Sequence, residues 1–331
     1  MKTRTPKSPW YTKARHHQEA WKASTPTIPD SARAPGLTMV DSPGGPIEVG
    51  PFPICLPLEH ASLVLLPSIR GEALERFARH GIHWHAGTPG ADGVDLPSTH
   101  LLDSQTQCVN VMLSLAAEPS RLLGLLQQVE PTATLAVPVE DGSCVAFEWS
   151  GAEDYLGESR GRSRQRGRFA TSSDALCVVE RSDGGRTAIL IEWKFTESYS
   201  EAVKFHGGRT DRREVYRKAY EGETSPFAER PSIDVYFHEP HYQLMRQALL
   251  AKAMVDAGEF GIDRAILFHA VPAGNTTLLS TLTDGLKEYG DTIGEVWRRL
   301  LPGPAVRYEL VDTAPLFGAT AELEERYGGL R

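Results

Sequence analysis

The stretch that decides the fold runs from residue 174 to residue 196 and reads DALCVVERSDGGRTAILIEWKFT. Two β-prone apolar runs flank Asp183-Gly184-Gly185, and a short glycine-containing loop between such runs predicts a β-hairpin. The alternation of the second strand sends Ile189, Ile191, Trp193 and Phe195 to one face, and Ala188, Leu190, Glu192, Lys194 and Thr196 to the other.

The turn sets which residues of the two strands face each other. A three-residue loop closing with Ser182 opposite Arg186 places Asp174 opposite Lys194 and diagonal to Glu192. All three side chains then share one face, and diagonal neighbours on antiparallel strands are about 7–8 Å apart. A slip of one residue would move Asp174 to the other face.

The charged end of this hairpin predicts a catalytic metal site. The second strand is apolar through Ile191, so Glu192 and Lys194 lie near the core and need charged or polar partners. Two carboxylates with backbone carbonyls and water form a hard-oxygen site suited to Mg²⁺, with Mn²⁺ as a substitute. Lys194 would hold the attacking water or offset charge on a phosphate. The alternative is a structural ion pair between Glu192 and Lys194.

The rest of the chain predicts helices before and after a group of strands. The predicted helices cover residues 70–80, 104–117, 119–126, 210–221, 239–257, 289–300 and 314–326, and the predicted strands cover residues 143–149, 174–181, 186–196, 263–271 and 305–312. This order predicts an α/β (α+β) domain with a central mixed β-sheet flanked by helices over residues 51–331. Residues 1–50 are basic and rich in Pro, Ser and Thr, which predicts a poorly ordered arm.

The segment TSSDALCVVERSDGGRTAILIEWKFTES resembles the catalytic hairpin of the PD-(D/E)XK nuclease superfamily. More widely, residues 100–270 are similar to bacterial restriction-endonuclease-like proteins. The shared pattern is a Ser-Gln helix with a later Asn, a Phe-Glu strand, an Asp strand, and an E-x-K strand with a trailing Glu, here Ser104, Gln105, Asn110, Phe147, Glu148, Asp174, Glu192, Lys194 and Glu197. The Asp follows Ser173 where the superfamily name has Pro. The resemblance implies a restriction-endonuclease-like core, Mg²⁺-dependent DNA cleavage and a defence role.

Further residues are candidates for the same site. Glu148 ends an apolar strand and is a candidate catalytic residue and metal ligand, although an exposed strand-end glutamate is the alternative. Supporting positions around the site are predicted at Gln105, Asn110, Glu197 and Gln243. The polar residues on the predicted helix 104–117 could instead hydrogen-bond to the backbone.

Basic residues are unevenly spread in a chain whose net charge is -8. That net charge argues against nonspecific coating of nucleic acid, but a local basic field can still bind DNA. Two clusters bracket the hairpin and are predicted to contact DNA phosphates: Arg160, Arg162, Arg164, Arg166 and Arg168 form one, and Arg209, Arg212 and Arg213 belong to the other. A solvated loop or helix face is the alternative for each.

Several other classes are disfavoured. No apolar run approaches the roughly 20 residues that span a bilayer, and no secretory signal is evident. The dispersed cysteines indicate buried thiols in a reducing cytoplasm. No P-loop is present, so no nucleotide cofactor is expected. The H-x-H pair at His83 and His85 lacks further zinc ligands at the usual spacing and predicts a surface loop.

Three classes of function remain open at this point. The leading one is a Mg²⁺-dependent endonuclease acting on DNA, for which a homodimer is an option because duplex cleavage involves two strands. A second is a DNA-binding protein that uses the same fold without cutting. The third is an interaction protein whose charged hairpin forms only an ion-pair network.

Overall fold

A computed structural model describes residues 7–40, 45–90, 93–160, 163–168, 170–199, 203–207 and 210–331. Within these residues the α-helices are α1 (Pro9–Ser24), α2 (Arg70–Arg79), α3 (Ser104–Ala116), α4 (Pro119–Leu126), α5 (Arg212–Glu221), α6 (His241–Ala257), α7 (Thr276–Leu279), α8 (Ile293–Leu300) and α9 (Ala321–Tyr327). The strands are β1 (Gly36–Val40), β2 (Ile47–Phe52), β3 (Thr88–Pro89), β4 (Asp95–Leu96), β5 (Ala133–Val137), β6 (Ala146–Trp149), β7 (Ser173–Arg181), β8 (Arg186–Trp193), β9 (His206–Gly207), β10 (Thr210–Asp211), β11 (Arg264–Val271) and β12 (Val306–Asp312). Short 3₁₀ helices connect several of them.

Six strands form one central sheet. Its order is β12-β11-β8-β7-β5, and β6 pairs with the part of β7 that lies beyond β5. Strand β11 runs parallel to β8 and β12, whereas β5, β6 and β8 are antiparallel to β7. The sequence-based prediction of an α+β fold with a central mixed sheet flanked by helices is therefore confirmed, and the architecture is consistent with a restriction-endonuclease-like core.

Both faces of the sheet are covered, and each carries its own hydrophobic core. Helix α3 packs on β7 and β8 from one side, and α6 packs on β8, β11 and β12 from the other. Ile191 and Trp193 belong to the core on the α3 side, whereas Leu190 belongs to the core on the α6 side. Burial on both faces explains why β8 is apolar along most of its length, and the predicted alternation is confirmed.

The hairpin differs from the expected register by two residues. Glu180 pairs with Arg186 and Ala175 pairs with Ile191. The loop has the expected three residues but lies one position earlier in the chain, because Gly184 takes the left-handed conformation with φ +83°. Two residues are one full repeat of a strand, so Asp174 keeps its face but aligns with Glu192 instead of Lys194.

The amino-terminal segment is structured where it is described, contrary to the expected poorly ordered arm. Trp10, Ala14 and Trp21 on α1 are buried in the core on the α3 side of the sheet. The Trp10 indole Nε1 donates a 2.7 Å hydrogen bond to the carbonyl of Phe195, just beyond β8. The expectation failed because these few large apolar residues lie on one face of an otherwise polar helix, which a composition average conceals.

The apolar segments of the chain lie in its interior. In the described residues no single helix is long and apolar enough to cross a membrane; α3 and α4 reach that length only as a pair bent by 117°. Cys55, Cys108 and Cys177 are buried, and these residues and Cys144 are free thiols.

A buried histidine joins α6 to the carboxyl-terminal half of the chain. His241 Nδ1 accepts a 3.0 Å hydrogen bond from the Trp297 indole, so Nε2 carries the proton and donates to the Thr281 carbonyl at 3.0 Å. Burial lowers the pKa of His241 to about 4, although the bond to Thr281 opposes that shift. Folding therefore favours the neutral imidazole.

Trp10→Ala tests whether α1 belongs to the core. We expect the free energy of unfolding to fall by about 3–5 kcal/mol, because the substitution leaves a cavity and removes the bond to Phe195. Urea denaturation measures the change, and exposed His16 on the same helix provides the control His16→Ala. Equal stability of the two variants would show that α1 does not dock.

His241 is expected to make the protein less stable in mild acid. Because its folded pKa is depressed, the stabilisation is present above the unfolded value of about 6.5 and is lost as pH falls towards about 4. His241→Gln should reduce the loss of unfolding free energy between pH 7 and pH 5 by about 2 kcal/mol. Urea denaturation at both pH values tests this, with His16→Gln as the control. An unchanged loss in His241→Gln would contradict the assignment.

Candidate active site

The hairpin and the end of β8 bring three charged side chains to one place. Asp174, Glu192 and Lys194 all lie on the α6 side of the sheet, and Glu192 and Lys194 are buried. Glu192 forms an ion pair with Lys194 Nζ. Asp174 Oδ2 accepts a 2.6 Å hydrogen bond from the backbone N–H of Trp193. The predicted shared face is thus present, with Asp174 beside Glu192.

Glu148 joins these residues from the adjacent strand β6. Its Oε1 accepts a 2.7 Å hydrogen bond from Gln105 on α3, and its Oε2 accepts a 2.7 Å bond from Ser172. The backbone of Glu148 is left-handed, with φ +48°, which costs about 1–3 kcal/mol for a residue other than glycine. The side chain is therefore held in the cleft by the surrounding structure rather than exposed at a strand end.

Helix α6 supplies two amides to the charged centre. Gln243 Oε1 accepts a 2.9 Å hydrogen bond from Lys194 Nζ. One turn later, Gln247 Nε2 donates to Glu192 Oε2 and, at 3.0 Å, to the carbonyl of Ser172. The predicted proximity of Gln243 is present. Gln247 was missed, although its i, i+4 relation to Gln243 put both on one helix face.

These residues line an open cleft of about 460 Å³. Its walls are formed by His83, His85, Ser104, Gln105, Glu148, Gly167, Arg168, Ala170, Ser172, Asp174, Glu192, Lys194, Glu197, Tyr199, Gln243, Arg246 and Gln247. Glu197 lies at this cleft as predicted, and its Oε2 accepts a 2.6 Å hydrogen bond from the Phe195 N–H. His83 and His85 lie in a loop, as their sequence context predicts, and both also line this cleft.

Asn110 does not belong to the cleft, contrary to the prediction. Its Oδ1 accepts a 2.9 Å hydrogen bond from the Leu66 N–H. Its Nδ2 donates to the Val64 carbonyl at 3.1 Å and to the Tyr327 hydroxyl at 3.0 Å. It lies five residues after Gln105, a spacing that turns it to another side of α3. Asn110 therefore ties α3 to α9 and to the segment before α2.

The electrostatics of the cleft disfavour ionisation of two of its carboxyl groups, Asp174 and Glu148. Burial raises the pKa of Asp174 well above its ordinary range, and the Glu192 carboxylate raises it further against the opposing charge of Lys194. Burial also raises the pKa of Glu148, despite the hydrogen bonds from Ser172 and Gln105. For Lys194, burial lowers the pKa but the nearby acidic groups raise it by more. The lysine stays charged and only partly balances the carboxylates.

The donor set fits a hard divalent cation. Asp174, Glu192 and Glu148 offer carboxylate oxygens, which Mg²⁺ and Mn²⁺ prefer over softer ligands. The raised pKa values of Asp174 and Glu148 mark charge that a bound cation would relieve. Across the described residues, no group of three or more His, Cys, Asp or Glu side chains is already arranged to hold a metal ion.

Two arginines of the loop before β7 make internal contacts, and their predicted contact with DNA stays a prediction. Arg164 donates hydrogen bonds to three backbone carbonyls of residues 150–152, between 2.9 and 3.2 Å. Arg166 pairs with Glu140 at 2.5 Å and donates to the backbone of β6. Both hold the chain around β6, which is a structural role that their spacing in sequence did not indicate.

The other members of that loop lie in different places. Arg168 lines the cleft close to the carboxylates. Arg160 is exposed, and Arg162 lies outside the described residues. DNA binding by Arg160 and Arg168 stays a prediction.

The second basic cluster lies at the start of α5. Arg213 forms an ion pair with Asp211 at 2.6 Å, so its charge is already compensated. The Arg212 guanidinium lies 5.6 Å from the centre of the Tyr242 ring. Arg209 lies outside the described residues. Of this cluster, Arg212 is the described member that stays a candidate for DNA contact.

The central mixed sheet flanked by helices is consistent with a restriction-endonuclease-like core. The chain belongs to the family described as restriction endonuclease associating with ARP, whose model matches residues 14–328. The match begins within α1 and ends just after α9, which agrees with the inclusion of α1 in the core. Comparisons with curated proteins and with solved structures found no match.

Asp174→Asn is expected to stabilise the protein in the absence of divalent cations. The amide keeps an acceptor for the Trp193 N–H and removes a buried charge next to Glu192, so the free energy of unfolding should rise by about 1–2 kcal/mol. Urea denaturation at neutral pH in the presence of EDTA measures it. Exposed Asp291 gives the control Asp291→Asn. A less stable Asp174→Asn variant would contradict the charge repulsion.

Proposed function

We propose that this protein is a Mg²⁺-dependent endonuclease that hydrolyses phosphodiester bonds in DNA, with a role in restriction or defence. The observation that carries the proposal is the meeting of Asp174, Glu192 and Lys194 on one face of β7 and β8, in a cleft open to solvent. Membership of a restriction endonuclease family supports a nuclease role and DNA as the substrate.

The carboxylates would bind the metal ion. Asp174 and Glu192 would hold it, with Glu148 as a further ligand or as the group that orients a water molecule. When bound, Mg²⁺ would polarise a phosphate oxygen and lower the pKa of a coordinated water. Lys194 keeps its proton beside Glu192, so it would orient the attacking water and offset charge developing on the phosphate.

Neighbouring amides and hydroxyls would fix the geometry of this centre. Gln243 holds Lys194, and Gln247 holds Glu192. Gln105 and Ser172 do the same for Glu148. Catalytic groups gain most when their supporting contacts restrict them to one arrangement. These side chains come from α3, α6 and the sheet, apart from Ser172 and Lys194, which lie one residue beyond the ends of β7 and β8.

A non-cleaving DNA-binding protein is the second candidate. One observation favours it, namely that Glu192 and Lys194 pair directly with each other and with amides of α6. A protein that only bound DNA would need arginines that contact phosphates but no acidic cleft. The two candidates therefore differ in whether acidic residues matter once DNA is bound.

Incubation of supercoiled plasmid with the protein and Mg²⁺ or Mn²⁺ tests the proposal. We expect the wild type to nick or linearise the plasmid only with a divalent cation. Glu192→Gln and Lys194→Met should each lower the cleavage rate by about 10²-fold or more, because each removes a group that acts on the transition state.

Matched controls come from the same elements. Glu180→Gln lies at the other end of β7, and Lys252→Met lies further along α6 with its charge paired to Asp256. Both should cut at the wild-type rate. If the wild type binds DNA in a filter assay but cuts with neither cation, or if Lys194→Met retains full activity, the protein is not the proposed endonuclease.

A further inference from the structure

Helix α6 places an arginine at the cleft that sequence reasoning did not select. Arg246 lies between Gln243 and Gln247 in sequence, and all three line the cleft with the acidic residues. Residues three and four positions apart share one helix face. The face that fixes Lys194 and Glu192 therefore also presents a guanidinium.

Arg246 is held in position mainly by an aromatic ring. Its guanidinium lies 4.5 Å from the centre of the ring of Tyr242, which is four residues earlier on α6. Its Nη1 also forms an ion pair with a carboxylate oxygen of Glu158, 3.7 Å away. That carboxylate is already occupied by the Tyr216 hydroxyl at 2.6 Å and by the Thr171 hydroxyl at 2.7 Å. The pair with Arg246 is therefore long and shared.

The Arg246 guanidinium has a hydrogen-bond donor that no described residue accepts from. Within the part of the chain that is described, Arg246 Nε is buried and has no hydrogen-bond partner. Burial lowers the pKa of Arg246, but the nearby groups Tyr216, Tyr242 and Glu158 raise it by more, so the side chain stays charged. The charge of Arg246 is therefore incompletely paired, because its Nε has no hydrogen-bond partner among the described residues and its ion pair with Glu158 is long.

We infer that Arg246 binds a non-bridging oxygen of the substrate phosphodiester and holds the phosphate against the acidic residues of the cleft. This inference rests on the proposed nuclease function and identifies a substrate-binding residue within it. The planar guanidinium can donate two parallel bonds to a phosphate. Because Arg246 lies on the wall of the acidic cleft, its positive charge would offset the repulsion between a DNA phosphate and the carboxylates of Asp174 and Glu192.

The charge distribution supports a phosphate over other anions. Four carboxylates line the cleft, those of Glu148, Asp174, Glu192 and Glu197. They would repel a ligand whose only anionic group is one carboxylate, unless a cation were bound as well. A phosphodiester has separate oxygens that Arg246 and a divalent cation can contact at the same time. Ring stacking on Tyr242 keeps the guanidinium oriented before the substrate arrives, which lowers the entropy lost on binding.

The test measures DNA binding separately from cleavage. Fluorescence anisotropy with a labelled DNA duplex in Ca²⁺, over a series of salt concentrations, gives affinity and the number of ionic contacts. We expect Arg246→Gln to weaken binding about tenfold and to reduce the slope of log affinity against log salt by about 0.9, the amount for one lost phosphate contact. Arg246→Lys should retain the slope but not the full affinity.

Arg298→Gln, an exposed substitution on α8 at a distance from the cleft residues in sequence, serves as the control. Thermal melting of each variant verifies that it folds. A wild-type salt slope in Arg246→Gln overturns the inference, whether or not affinity falls, because a purely structural role leaves the contact number unchanged. If the wild type binds DNA but never cuts it, the proposed function fails while the binding comparison still decides the role of Arg246.

Discussion

The rest of the site depends on the burial of like charges at the ends of two neighbouring strands. Asp174 aligns with Glu192 across the hairpin, and Glu148 approaches from the next strand, so these carboxylates share one cleft, in which Lys194 pairs with Glu192. Each carboxylate raises the cost of ionising the others. A fold keeps such an arrangement only where packing elsewhere supplies the stability that it loses here.

That support comes from the two cores on either side of β8. Ile191, Trp193 and Phe195 belong to one core, while the alternate positions carry Glu192 and Lys194 into the cleft. The indole of Trp10 then bonds to the carbonyl of Phe195. Helix α1 therefore holds the end of the strand that carries the charged pair, from the side opposite the cleft. This arrangement gives the amino-terminal segment a part in positioning the site.

The sequence was sufficient to predict features that depend only on the two-residue alternation of a strand. The face shared by Asp174, Glu192 and Lys194 follows from strand alternation, and it survives a two-residue error in register. To predict which residues of β7 and β8 pair, one must know which glycine of the loop takes the left-handed conformation. The sequence alone does not distinguish Gly184 from Gly185 for this role. Contacts between distant elements, such as Gln247 with Glu192, were beyond local reasoning because they depend on how α6 crosses the sheet.

The composition of the cleft also bears on the choice between a structural network and a functional site. A structural ion-pair network gains stability by matching its charges and closing over them. Here the acidic side chains outnumber the adjacent lysine, Glu148 occupies a strained backbone position, and the cleft remains open. These features reduce stability without any packing benefit. They are accounted for if the cleft receives a cation and a phosphate, since the cation would offset the carboxylates and the phosphate would pair with Lys194 and Arg246.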